Sequence, residues 1–162
     1  MRRRITPKAI TTFAAVALAA LVVAVPVAVA DKPTFEPVPA EDFTIDAVIC
    51  GFPVAVEILT NNEKAITFSG GMTTVTGTLK VRLTNVDDPT QSIVLNIPGP
   101  GFLDEGGLIA TGPWLFFFLP GDLGPGSPGI LASTFGRVQL DESGFHLLAG
   151  RRIDLCPLLA SG

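Results

Sequence analysis

Two cysteines, Cys50 and Cys156, and a single histidine, His146, bound most of the chemistry open to this chain of 162 residues. Zinc sites draw on three or four Cys or His ligands, which would consume all three residues, whereas two cysteines in an exported chain favour one intramolecular disulfide. The expected pair is Cys50 with Cys156, and neither a metal nor a cofactor is expected. A Ser-His-acid triad would have to use His146. Its neighbours Phe145, Leu147 and Leu148 form a short apolar strand, the setting of a structural histidine rather than a catalytic one. The carboxylate pairs Asp87-Asp88, Asp104-Glu105 and Asp141-Glu142 suggest glycosidic acid-base chemistry or an oxygen-ligated calcium ion. Each sits in a turn where Asp and Glu are commonplace, and the spacing of an EF-hand loop is absent. The glycines form neither GxGxxG before a helix nor GxxxxGK[ST], so no nucleotide cradle is read and no catalytic residue is assigned.

The most distinctive candidate is the run WLFFFLP from Trp114, apolar on both faces of an extended strand. Such a strand is either covered on both sides as core or left as an adhesive patch. In the second case Trp114, Phe116, Phe117 and Phe118 would bind an apolar ligand, a cell-wall component or another copy, with the loop 121–129 as a flexible rim.

Residues 1 to 30 have a basic head (Arg2, Arg3, Arg4, Lys8), an apolar centre from Ile10 to Val25 and the small-residue end Ala28-Val29-Ala30. This is the pattern of a secretory signal peptide cut before Asp31. As a transmembrane anchor the run is broken by Pro26 and falls short of the ~20 residues a span needs, so no membrane span is expected after cleavage. Removing it leaves 132 residues, one domain's worth, and takes four of the eleven basic residues, so seven face fifteen acidic ones and the formal charge is near −8. No basic cluster exceeds Arg151-Arg152, which disfavours nucleic acid and anionic lipid as partners and points to an extracellular or cell-wall ligand.

The elements that would position these residues are strands. DKPTFEPVPAED (31–42), with three prolines and four acidic residues, reads as a mobile or extended arm without regular hydrogen bonding. The β domain is expected over 43–160, opening with a strand at 43–49. In the next strand, 52–60, Val54, Val56 and Ile58 share a face opposite Ala55 and Glu57. Gly70-Gly71 marks a hairpin. In MTTVTGTLKVRLTN (72–85), Val75, Leu79, Val81 and Leu83 face one way, and Gly77 interrupts them as a bulge or close approach. A strand at 91–97 turns Ile93, Leu95 and Ile97 inward. The segment 98–112 reads as an irregular crossing with a short strand at 108–111. Beyond the aromatic run come strands at 130–140 and 144–148, a turn at Ala149-Gly150 and a last strand at 152–156. No sustained 3.6-residue period occurs in the mature chain.

In Cys50-Gly51-Phe52-Pro53-Val54 after a short acidic lead, in Val81-Arg82-Leu83-Thr84-Asn85 and in the closing Asp154-Leu155-Cys156, the chain resembles small secreted, β-rich actinobacterial proteins of uncharacterised activity. That resemblance implies export and a shared β fold with one disulfide, and it supplies no catalytic residue. The residues themselves predict a single antiparallel all-β domain of eight to ten strands, a sandwich or a barrel, closed by Cys50–Cys156 joining the first strand region to the last. Such a closure inclines toward a barrel, which removes exposed edges. The leading function is a non-enzymatic exported binding or surface module. The alternative is a barrel-type enzyme or small apolar-ligand carrier with Glu57, Arg137, Asp154 or His146 facing an internal cavity.

Overall fold

In a computed structural model, residues 32–160 are described, and the expected signal peptide lies outside them. Among the described residues, eleven strands form two antiparallel sheets. The smaller sheet has four strands in the order β2-β3-β6-β7: β2 (Phe43–Ile45), β3 (Val54–Asn61), β6 (Leu79–Asn85) and β7 (Ser92–Ile97). Seven make the larger sheet, ordered β1-β4-β5-β8-β9-β10-β11. These are β1 (Thr34–Pro37), β4 (Lys64–Thr67), β5 (Thr73–Thr76), β8 (Gly101–Asp104), β9 (Gly107–Phe118), β10 (Ile130–Asp141) and β11 (Gly144–Asp154). Both sheets keep open edges, so the fold is a sandwich and the inclination toward a closed barrel is corrected.

Alternation placed the core correctly in the smaller sheet. Val54, Val56, Val81 and Leu83 are buried, and Ile58, Leu79, Ile93 and Leu95 pack against them. Gly77 is a close approach: a Cβ there would lie 2.4 Å from the Asn62 carbonyl oxygen. That contact marks a corner where the chain changes sheets, β3 feeding β4 through 62–63 while β5 feeds β6 through 77–78. The two crossings run side by side, joined by Asn62 N–H donating to the Thr78 carbonyl. The threonine-rich run is therefore two strands in different sheets, as sheets joined by bent strands require.

Further departures have local causes. Residues 34–37 are a paired edge strand, with Thr34 opposite Thr67 and Pro37 opposite Lys64. Pro37 is tolerated because an edge strand needs only one side of its ladder. The expected strand 43–49 ends at Ile45, where Asp46 caps a four-residue helix, α1 (Ala47–Cys50), by accepting from the Val48 N–H. Gly51 closes it at φ 83°. A second short helix, α2 (Cys156–Ala160), follows β11. β9 runs unbroken through Gly112-Pro113, since its pairing with β8 ends at Ala110 and leaves Pro113 a partner on one side only. The turn expected at Ala149-Gly150 is instead a kink inside β11.

That kink belongs to a row. Gly112, Gly136 and Gly150 lie opposite one another across β9, β10 and β11, all at positive φ (88°, 144° and 98°). A Cβ on Gly136 would meet the Ala149 carbonyl oxygen at 2.1 Å, and one on Gly150 the Phe135 carbonyl oxygen at 2.0 Å. Three adjacent strands thus take an unusual backbone conformation along one line, with a bulge beside it between Arg137 and Val138.

Cys50 and Cys156 are bonded, with Cα atoms 5.1 Å apart, inside the ordinary disulfide range. The bond joins the two short helices rather than two strands. Ile49 and Leu159 carry them into the core beside Leu155 and Leu131, and the Leu159 carbonyl accepts from the buried Asn85 amide. One end of the sandwich is thereby sealed.

Candidate functional site

Between the sheets, with the crossings beside it, lies a cavity of about 540 Å³ whose lining includes no residue of either helix. The smaller sheet supplies Val56, Ile58, Leu79, Val81 and Ile97; the larger supplies Val75, Leu103, Leu108, Trp114, Leu115 and Phe117. Alternation in β3, β6 and β7 explains the first set, since the residues that face the larger sheet are apolar. A strap, residues 38–42, lies along the cavity. It is held at Val38, whose N–H donates to the Glu63 carbonyl and whose carbonyl accepts from the Asn61 amide, and at Asp42, which accepts the Ile58 N–H at 2.7 Å. Between these points Val38, Pro39, Ala40 and Glu41 line the cavity. At its mouth Phe43, Leu103 and Phe117 are exposed.

Trp114 is seated by two glycines in the PGPG crossing. A Cβ on Gly99 would lie 2.4 Å from the indole Nε1, and one on Gly101 2.7 Å from the six-membered ring. Nε1 is buried against Gly99 without a hydrogen-bond partner among the described residues, an uncommon cost for an indole. The glycines read from the sequence as generic loop residues are therefore the floor on which the tryptophan rests.

The aromatic run is divided between two settings. Trp114 and Phe117 line the cavity. Phe116 stacks on Trp114 and Phe118 at 6.1 Å, and both Phe116 and Phe118 meet Phe145 of β11 edge-on at 5.3 and 4.9 Å. Phe118 is buried and Phe117 is 55% exposed. Trp114 thus belongs to both settings, whereas Phe117 makes no ring contact with the other three among the described residues.

Two carboxylates, Glu41 and Glu63, bring the only charges among the described lining residues. Glu63 has its pKa pushed above the ordinary value by burial. Neither appears in an ion pair or side-chain hydrogen bond among the described residues. Glu63 carried no signal in the sequence. Its position follows from the Asn61 side chain accepting the Glu63 N–H in the corner, which only the crossing makes intelligible.

The polar groups proposed for an internal cavity stand elsewhere. Glu57 is exposed and paired with Arg82 at 2.5 Å, a surface contact worth about 0–1 kcal/mol. Asp154 accepts the Cys156 N–H at the start of α2, and neither Arg137 nor His146 lines the cavity. His146 does meet a serine and an acid, at the β10–β11 hairpin. Ser143 Oγ lies 2.8 Å from His146 Nε2 and donates to Asp141 Oδ1, which is itself 3.8 Å from that same Nε2. A catalytic relay places the acid on the far ring nitrogen, so that serine and acid do not meet. Here the serine hydroxyl and N–H both serve Asp141, holding its carboxyl below the usual range, first through the hydroxyl. The group is a turn cap.

Among the described residues no cluster of three His, Cys, Asp or Glu could hold a metal ion, and no helix is long and apolar enough to cross a membrane. Compared with known proteins, the chain matches no family model, no curated protein and no solved structure.

Proposed function

We propose that this protein is an exported, non-enzymatic binding module that holds a small apolar ligand between its sheets. The observation that carries this reading is the cavity of about 540 Å³, whose walls are aliphatic and aromatic. Its size falls in the range of small-molecule sites, ~300–1,000 Å³. Apolar burial supplies about 0.8 kcal/mol per methylene, so a chain of about ten carbons gains roughly 8 kcal/mol before the cost of association is set against it. A gain of that size sets micromolar affinity as the ceiling. The disulfide and the signal-like N-terminal segment support a role outside the cell. An enzymatic reading finds no converging acid, base and nucleophile among the described lining residues.

Trp114 is the sole tryptophan and sits in the wall, so its emission reports occupancy directly. Titration with the neutral amphiphile dodecyl maltoside, below its micellar concentration, should shift and saturate that emission at one molecule per chain. Val75→Phe, which fills the cavity from β5, should weaken the response about tenfold, the equivalent of ~1.4 kcal/mol. An unchanged emission across the titration, with the circular-dichroism spectrum intact, refutes the reading.

A further inference from the structure

The charge of the cavity narrows the ligand class. Resting on the reading of an apolar-ligand site, we infer that the natural ligand is a single-chain amphiphile with a cationic head, such as an alkylammonium. Its chain would lie between the sheets and its head beside the strap.

Chemistry at the strap supplies the reason. The described lining residues include two carboxylates, Glu41 and Glu63, and no lysine, arginine or histidine. They come from different parts of the chain, yet the hydrogen bond from Val38 N–H to the Glu63 carbonyl fixes Glu63 beside the strap that carries Glu41. The remaining described lining residues are apolar, so only this region of the wall offers a bound chain's polar end a charged partner. A cation there gains two carboxylates that have no ion pair among the described residues. An anionic head meets repulsion from both and finds no compensating donor, and a neutral head is indifferent. Raising of the Glu63 pKa by desolvation agrees with a carboxylate that lacks the counter-charge its position calls for. The surface groove formed by Phe43, Val48, Phe117 and Leu119 adjoins the mouth through Phe43 and Phe117, so an alkyl chain longer than the cavity has an apolar path outward.

The test compares three twelve-carbon probes below their micellar concentrations, read by Trp114 emission: dodecyltrimethylammonium, dodecyl maltoside and dodecyl sulfate. The ammonium should bind about tenfold more tightly than the maltoside and the sulfate more weakly than either. In the double variant Glu41→Gln, Glu63→Gln the ammonium and maltoside should converge to within about threefold, the maltoside affinity holding. A second double variant, Asp104→Asn, Glu105→Gln, removes the same charge from the β8–β9 turn and should preserve the preference. Equal binding of all three probes, or an ammonium preference that survives Glu41→Gln, Glu63→Gln, overturns the cationic-head assignment and leaves the apolar site standing. Silence of Trp114 to every probe removes both.

Discussion

Burial raises the pKa of Glu63 because its carboxylate loses water at the cavity wall and has no cation among the described residues to offset the loss. An acid whose folded pKa is raised destabilises the fold where it is ionised, above that pKa, and does nothing where folded and unfolded chains are both protonated, well below the ordinary 4.5. Replacing Glu63 with Gln should therefore raise the melting temperature at pH 7 and leave it unchanged near pH 3. An equal gain at both values would mean that the side chain acts through packing alone. Asp141 illustrates the opposite sign. Its pKa is lowered by the Ser143 hydroxyl and N–H, so its contribution is present above 3.8 and is lost as the pH falls through the lower folded value. The two carboxylates differ in surroundings, and only the three-dimensional neighbours tell them apart.

At the scale of elements, the glycine row across β9, β10 and β11 decides the shape of the larger sheet. Gly136 and Gly150 occupy backbone conformations that side chains avoid, and each would drive a Cβ into a carbonyl of its partner strand. Gly136→Ala or Gly150→Ala should each cost roughly 1–3 kcal/mol or more. Urea denaturation of each variant provides the measurement, and a loss below a few tenths would mean that the strands can straighten. In the sequence these glycines were misread, Gly150 as a turn and Gly112 as the end of an irregular crossing, because a glycine in an alternating run signals an unusual backbone without saying whether the chain turns or kinks. Alternation was legible where one face met solvent, as in β3, β6 and β7. It was mute where chain direction changed between sheets: Thr73–Thr76 and Leu79–Asn85 read as one strand, although Gly77 sends them to different sheets. The cavity was illegible for the same reason. Its walls are the apolar faces that alternation finds, but whether those faces touch or stand apart depends on the corner at Asn62 and Gly77.

For the whole molecule the question is what closes the sandwich. One end is sealed by α1 and α2, helices of four and five residues that are far too short to persist alone. They hold because Ile49 and Leu159 are buried in the core and because Cys50 and Cys156 bind them to each other. Gly129, at the end of the 121–129 loop, lies against α1 so closely that a Cβ would come within 2.7 Å of the Val48 carbonyl oxygen, so the plug is also held from β10's side. The bond spans 106 residues, nearly the whole domain, and for a loop of that length the chain-entropy estimate is ~4.7 kcal/mol, reduced by whatever the native geometry costs. Cys50→Ser should thus lose ~2–5 kcal/mol and lower the melting temperature by roughly 10 °C, and Cys156→Ser should do the same, since either change opens the same loop. The double variant should be no worse than the singles, because the second substitution breaks nothing further. Calorimetry on all three, with thiol titration of the denatured, unreduced wild type, is the measurement. Two titratable thiols per wild-type chain, or a double variant markedly less stable than either single, would mean that the cysteines act separately at this end of the fold. The cavity gives a further reading of the same change. Its described lining comes from strands, among them β3, β5, β6 and β9, and from the strap, with no residue of either helix, so loss of the plug should lower stability while Trp114 still reports ligand at temperatures where the variant remains folded.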